Sequence, residues 1–364
     1  MKLRCQPLLA AAMAFSSVPL AAALAASPAS AHRAPTCTPD VGGTGLSAAV
    51  VARPHQHISR WVDATGCDIG IYVGAGVRHV SITSTTVTGA NFQGIFAEKT
   101  SDLRISWSTV TNNAFNTIDP TAPPLPGSGV QSQVGQAFAI SLFGVSRASV
   151  SHNRVYNNGR GGIGVMDNGP FDPGAMMQSQ DPTAPVVNSW HVRVADNKTW
   201  ANYNGCGIVA ATQNAGGRLG EISISGNRIL GTGVGAAGPD IGGIVVAADL
   251  PDSNVTHADV KGNVVRDSFE GGLIVNAEAP GSWTARVHLL GNVVSGNNVG
   301  HLEAPDTTGV ITFAAEGAAN YRTVVAHNRI SNQFYGVWTR GDFAPKMFGN
   351  RISVTPGGTP VSLG

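Results

Sequence analysis

Apolar and polar residues alternate along this chain in short bursts, and most bursts run into the same kind of polar turn. Val192-Arg193-Val194-Ala195-Asp196-Asn197 shows the pattern: a half-buried strand that ends at an Asn. A Gly follows the turn, and then a second strand, as in Gly207-Ile208-Val209-Ala210-Ala211. Second strands recur as Ile95-Phe96-Ala97, Ile163-Gly164-Val165, Ile244-Val245-Val246, Leu273-Ile274-Val275, Val310-Ile311-Thr312 and Val337-Trp338-Thr339. Val, Ile and Thr suit pleated strands, while Gly and Asn suit turns. The pattern predicts a repeating unit of two short strands and a turn.

The Asn residues set the period. Asn153, Asn197, Asn227, Asn263, Asn292, Asn328 and Asn350 each open a similar triplet, such as Asn153-Arg154-Val155 or Asn328-Arg329-Ile330. Upstream, Thr85-Thr86-Val87 and Ser108-Thr109-Val110 fill the same slot. The shortest steps, Asn328 to Asn350 and Thr85 to Ser108, have the length of one solenoid coil, and longer steps are coils with loops. Units this short, without helices between them, wind continuously and stack each strand on its equivalent. Asn tolerates left-handed backbone angles, and identical amides stacked about 4.8 Å apart form a hydrogen-bonded ladder. Phe92, Tyr203, Phe269 and Phe334 each precede a Gly by two residues and are expected to stack within the core.

On these triplets and their register the chain resembles the right-handed parallel β-helix proteins, the pectate-lyase-like superfamily. It is also similar to the NosD-type exported β-helix repeat proteins. The resemblance covers roughly Ile69 to Val354 and implies an all-β, single-domain solenoid of about nine or more coils. It leaves activity open, because this superfamily includes lyases, hydrolases, epimerases, tailspikes and adhesins.

Composition narrows the class. A net charge of +1 over 364 residues, with 12% charged residues, lacks the basic excess of a nucleic-acid binder. Met1 to Arg4 is basic, Leu8 to Ala26 is apolar, and Ala29-Ser30-Ala31 is a cleavage signal before His32. Residues 1–31 therefore read as a signal peptide, with a secreted mature chain that has no membrane span. Export permits a disulfide between Cys37 and Cys67, within a capping segment over 32–68 that precedes the solenoid of 69–364. Cys206 reads as a small buried thiol. Insertions break the period near 116–136, 168–189, 231–242 and 301–308, where loops are expected to wall a groove. A monomer is expected.

An acidic column offers chemistry. Six residues after the Gly before each second strand stand Asp167, Asp249, Glu278 and Asp342, with Gln213 in the same register. Stacked coils would put Asp249 and Glu278 on backbones about 4.8 Å apart. Such a pair can bind a cation, share a proton or splay into water. Carboxyls about 5 Å apart suit a retaining glycosidase and a wider pair an inverting one; with carbonyl oxygens they can hold Ca²⁺. Acidic residues in a solvated turn are the plain alternative.

Other candidates are secondary. Arg154, Lys198, Arg228, Arg329 and Arg351 follow the ladder, alternate outward, and form a basic column, either a polyanion contact or a hydrated flank. His152 and His327 precede the ladder Asn and read first as turn residues. His301, with Glu303 nearby, is a candidate base. Arg340 would neutralise substrate charge, and Trp338 would stack on a sugar or lie inside. The Arg-x-Pro-x-x-Arg of pectate lyases, the Gly-His-Gly of polygalacturonases and the Asp-Pro-His-Asp of alginate epimerases are missing. Met176-Met177 lacks the ligands copper favours. Two readings remain: a secreted enzyme that cleaves or modifies a polysaccharide, or a non-catalytic glycan-binding, adhesive or structural surface protein.

Overall fold

The structure, a computed structural model, describes residues 36–114, 138–170, 183–203, 205–233, 242–302, 304–341 and 344–363. The expected leader over 1–31, the insertion near 116–136, most of those near 168–189 and 231–242, and Glu303 and Asp342 lie outside these residues.

Each coil carries three parallel strands rather than the two expected. The triplets behind the ladder residues are strands in their own right, among them Arg154–Tyr156, Lys198–Trp200 and Arg228–Leu230. Three residues are too few to show alternation in sequence, so they read as turn. They form a middle column. A first column comprises the strands before the ladder residues, such as Ser189–Ala195, Arg218–Ser225 and Asn254–Lys261. The third column comprises the strands behind the Gly, such as Ile208–Thr212, Ile244–Ala248 and Leu273–Ala277. Equivalent positions stack in line: Ile208 pairs with Ile244, Ile244 with Leu273, Leu273 with Val310, and Val310 with Val337. The first column is an 11-stranded sheet. Two long strands, Arg329–Arg340 and Arg351–Leu363, run through the other two columns and join them into a 19-stranded sheet.

Winding starts one coil earlier than expected. Ala48–Val51 already pairs with Ile69–Val73, so much of the segment assigned to a cap is itself solenoid. Cys37 and Cys67 form the expected disulfide across a sequence separation of 30 residues. A loop of that size contributes about 3.5 kcal/mol in the chain-entropy model. Cys206 is a buried thiol outside the disulfide.

The Asn ladder holds, although its backbone logic differs from expectation. The left-handed residue is the one before each ladder position: Ser84, Trp107, His152, Asp196, Gly226, Gly262, Gly291, His327 and Gly349 all have φ between 54° and 65°. That residue turns the corner, and the Asn behind it aims its amide into the bend. Each amide along the middle of the row then serves four backbone or side-chain groups. Asn263, for example, accepts from Asn227 N and Nδ2 at 2.8 and 3.0 Å, and donates to Ile224 O and Asn292 Oδ1 at 3.0 Å each. The same contacts run from Asn153 to Asn350, with Ser108 and Thr85 extending the row upstream. Ladder residues here are nearly fully buried, and pairing is what makes such burial tolerable.

A second ladder stands at the far end of the middle column. Asn113, Asn158 and Asn202 link through their amides at 3.1 and 2.9 Å. Ser268, Asn297 and Gln333 continue the row. These residues lie five positions after the first ladder, a spacing present in the sequence but masked by the change of residue type from coil to coil. Another left-handed residue precedes this ladder too, for example Asn112, Asn157, Ala201 and Asp267. The middle strand is therefore a three-residue span clamped between two matching corners.

The interior is filled by the inward side chains of all three columns, including Ile95, Ile105, Val110, Ile224 and Val265. Burying each such side chain contributes about 1.5–3 kcal/mol. Middle strands alternate exposed and buried, whereas Ile208–Thr212, Ile244–Ala248 and Leu273–Ala277 are buried at every residue. A second apolar layer explains this: Tyr72, Phe96, Val245, Ile274 and Ile311 form a stripe on the outer face of the third column. In chain order the insertions near 116–136, 231–242 and 301–308 all fall between a middle and a third strand, and the one near 168–189 follows a third strand. Loop growth is thus concentrated at the two ends of the third column.

Candidate functional site

The acidic row lies where third-column strands hand over to the first column. Ala248 pairs with Thr212 and with Ala277, so the next residues, Gln213, Asp249 and Glu278, occupy consecutive rungs. Asp249 and Glu278 are both half-buried. Gln213 Nε2 donates to Asp249 Oδ2 at 2.9 Å, and Asn276 Nδ2 donates to Glu278 Oε1. The backbone amide of Asp249 donates to Thr212 Oγ1 at 3.2 Å, and that of Glu278 to Ala248 O at 3.0 Å. Each carboxylate is therefore oriented in part by a neutral amide.

Asp167 departs from that row. The true register glycine is Gly162, which faces Gly207, and not Gly161; counting from the wrong member of the doublet shifts Asp167 by one residue. Met166 pairs with Ala211, so Asp167 is level with Thr212, Ala248 and Ala277, whose side chains are buried. Asp167 is fully buried, not a substrate contact. Its carboxylate accepts from the backbone amide of Gln213 and, at 2.9 Å, from Asn214 Nδ2. It pins the turn that carries Gln213.

Burial pushes the Asp167 carboxyl up from 3.8 to about 6, against the opposing pull of those hydrogen bonds. Between those pH values the native state retains a proton that the unfolded chain has lost. The resulting contribution is complete below pH 3.8 and disappears as pH rises through about 6. The shift corresponds to about 3 kcal/mol. Asp167→Asn should remove this descent, measured as the difference in urea-unfolding free energy between the two proteins from pH 4 to 7. Parallel pH profiles for the two proteins would refute the burial argument.

The remaining candidates scatter. Arg340 occupies the row of Asn276 and Phe313, two rungs beyond Asn276; it is exposed, with its guanidinium 5.5 Å from the Phe313 ring centre. Trp338 is half-buried against the outer apolar stripe, level with Ile311 and Ile274. His301 is exposed in the turn before Thr308–Ala314, tied to its own loop through Pro305 O at 3.3 Å. The carboxylates stand where third strands finish, so a strand's length of about 20 Å lies between the two ends. His301 therefore does not join Asp249 and Glu278. Among the described residues no three His, Cys, Asp or Glu side chains converge as a metal site.

Phe92 is buried in the outer apolar stripe, but the other three aromatic residues expected to stack inside do not do so. Their positions fall just past the second ladder, on the outside of the corner: Tyr203 is 39% exposed, and Phe269 and Phe334 are half-buried. Aromatic stacking occurs elsewhere, through Tyr72, Phe96 and Phe143 in the outer stripe, and between Tyr156 and Trp200 on the middle column. The basic column does turn outward: Arg154, Lys198, Arg228, Arg329 and Arg351 are all exposed. His152 and His327 are corner residues, as their left-handed backbone requires.

Another charged row was not anticipated. Mid-strand in the first column, Asp102, Arg147, His191, Glu221, His257 and Arg286 each adopt a left-handed conformation, with φ between 52° and 59°. Arg147 donates to Asp102 at 2.7 and 2.9 Å and holds that carboxyl well below its usual range. His191 faces Glu221 at 2.5 Å. The signal was the bulge itself, a break in alternation once per strand.

No family model matches this sequence. No curated protein matches it either. Among solved structures the chain is similar to two mannuronan C-5 epimerase A-modules of Azotobacter vinelandii. For AlgE4 the TM-score is 0.52 at 13% identity, covering 88% of this chain and 84% of that one. For AlgE6 the TM-score is 0.51 at 15% identity, covering 86% and 78%. The likeness shows the fold, a right-handed parallel β-helix.

Proposed function

We propose that this is an exported protein acting on a polysaccharide, with Asp249 and Glu278 as the reacting carboxylates. The observation that carries the reading is the placement of Gln213, Asp249 and Glu278 on three successive rungs, each acid half-exposed and gripped by an amide. Backbones one rung apart suit a pair of about 5 Å separation, the spacing of an acid and a nucleophile in retaining glycoside hydrolysis. The same pair can instead abstract a proton beside a uronate, as elimination and epimerisation both require. Arg340, two rungs beyond Asn276, would meet substrate charge, and Trp338 would border the groove. Glu303 and Asp342 are secondary candidates for proton transfer and substrate binding. The Cys37–Cys67 bridge and the apolar leader suit an oxidising, extracellular destination. The mannuronan substrate in the names of the two similar structures lends the polysaccharide class some support.

The test is a panel of neutral and uronate polysaccharides assayed for new reducing ends, unsaturated ends and altered C5 configuration, with and without a chelator. Glu278→Gln and Asp249→Asn should each lower product formation by on the order of 10²-fold or more. Wild-type rates in both variants would overturn the assignment. A panel without any product would favour the non-catalytic glycan-binding reading.

A further inference from the structure

The outer face of the middle column holds a recess that the carboxylate row does not use. It is an open recess of about 430 Å³, lined by Lys198, Trp200, Tyr203, Leu230 and Asp267, with Ala201 and Gly231 beside them. Trp200 stacks on Tyr156 of the preceding coil, with ring centres 4.2 Å apart and planes within 10°. The next coil offers only Leu230 at the position paired with Trp200. A large ring is thus followed by a small side chain, and this step opens the recess beside the indole.

Chemistry at its rim is balanced. Lys198 Nζ lies 4.5 Å from the indole centre and supplies donors, while the Asp267 carboxylate supplies acceptors. Both are exposed side chains on rigid supports: Lys198 within a strand, Asp267 at a left-handed corner with φ 56°. The second ladder changes character here as well, from Asn202 to the shorter, fully buried Thr232. An apolar ring flanked in the lining by one donor and one acceptor matches a ring that is apolar on one face and hydroxylated at its edge.

We propose that this recess is a binding site for an uncharged hexose or pentose residue of a glycan, separate from the carboxylate row. The exposed Lys198 side chain, which lies over the indole, swings aside so that the ring packs the C–H face of the sugar; Asp267 then accepts from hydroxyl groups, and Lys198 donates to hydroxyl oxygens. The Asp267 carboxylate in the lining disfavours a uronate carboxylate placed beside it. The site stands on the middle column and the carboxylate row beyond the third, so occupancy does not require turnover.

Calorimetric titration of the full chain with cellohexaose, mannohexaose and xylohexaose tests the proposal, with oligogalacturonate of similar length as the charged comparison. At least one neutral hexasaccharide should bind. Trp200→Ala should weaken that binding by about tenfold or more, and Asp267→Asn by several-fold. Leu230→Trp fills the recess without removing the indole and should also abolish binding, which covers the case that Trp200→Ala misfolds. Unchanged affinity in the Asp267 and Leu230 variants would overturn the site. So would exclusive binding of oligogalacturonate, or no binding by any neutral hexasaccharide. Because the titration reads binding alone, failure of the carboxylate assignment leaves its result intact.

Discussion

Asn263→Ala should destabilise the protein by about 2–4 kcal/mol. The loss follows from what the amide serves. Removing it takes the acceptor from the buried backbone amide of Asn227, one of three acceptors from Asn227 Nδ2, and a donor from the carbonyl of Ile224. Each orphaned group costs about 1–3 kcal/mol. Asn263→Ser should cost less, because Ser108 in the equivalent slot accepts the backbone amide of Thr85. Asn350→Ala should cost less again, since that residue ends the row and is only partly buried. Urea unfolding followed by circular dichroism ranks the three variants. A loss below about 1 kcal/mol for Asn263→Ala would mean the ladder is ornament rather than support.

Gly243→Ala should be damaging to a similar degree, by about 3 kcal/mol or more, through crowding instead of lost bonds. A Cβ there would stand 2.2 Å from Val265 Cγ1 and 2.6 Å from the carbonyl oxygen of Gly272. That carbonyl cannot retreat, because it accepts from Ile244 N at 3.0 Å in the stack of coils. Gly262→Ala is the matched control. Its φ is 64°, and nothing lies within 4 Å of the added methyl, so only the left-handed penalty of about 1 kcal/mol applies. Equal losses in the two variants would show that close approach at the inner corner is not what fixes the Gly before each third strand.

The solenoid was legible because its period is written in one residue type. Asn at the first corner is bound to its neighbours in both directions, so little else fits, and the column survives in the sequence as a visible repeat. The second ladder tolerates Asn, Thr, Ser and Gln, and its constant offset of five residues dissolved in that variety. Middle strands escaped notice because three residues hold one inward side chain and no alternation. Asp167 was misplaced by a single residue, yet in a strand that error exchanges the outer face for the interior. The site was less legible than the fold for a related reason. A row assignment fixes where a backbone stands, while Asp249 and Glu278 turn toward different amides that only coordinates reveal. His301 stands at the other end of a third strand from Asp249 and Glu278, and its proximity to Glu303 along the chain says nothing about which end of a strand a loop occupies.

The way every ladder amide reaches only the coil before and the coil after has a kinetic corollary. Cooperativity then passes between adjacent turns alone, like the links of a zip, and opening should begin at a terminal turn and travel inward. Native-state hydrogen exchange would register this as a gradient, slowest around Ile224 to Val294 and fastest along Arg351–Leu363. The disulfide at Cys67 fastens one end of that zip, which leaves the opposite end as the place where unfolding, proteolysis and repair would start.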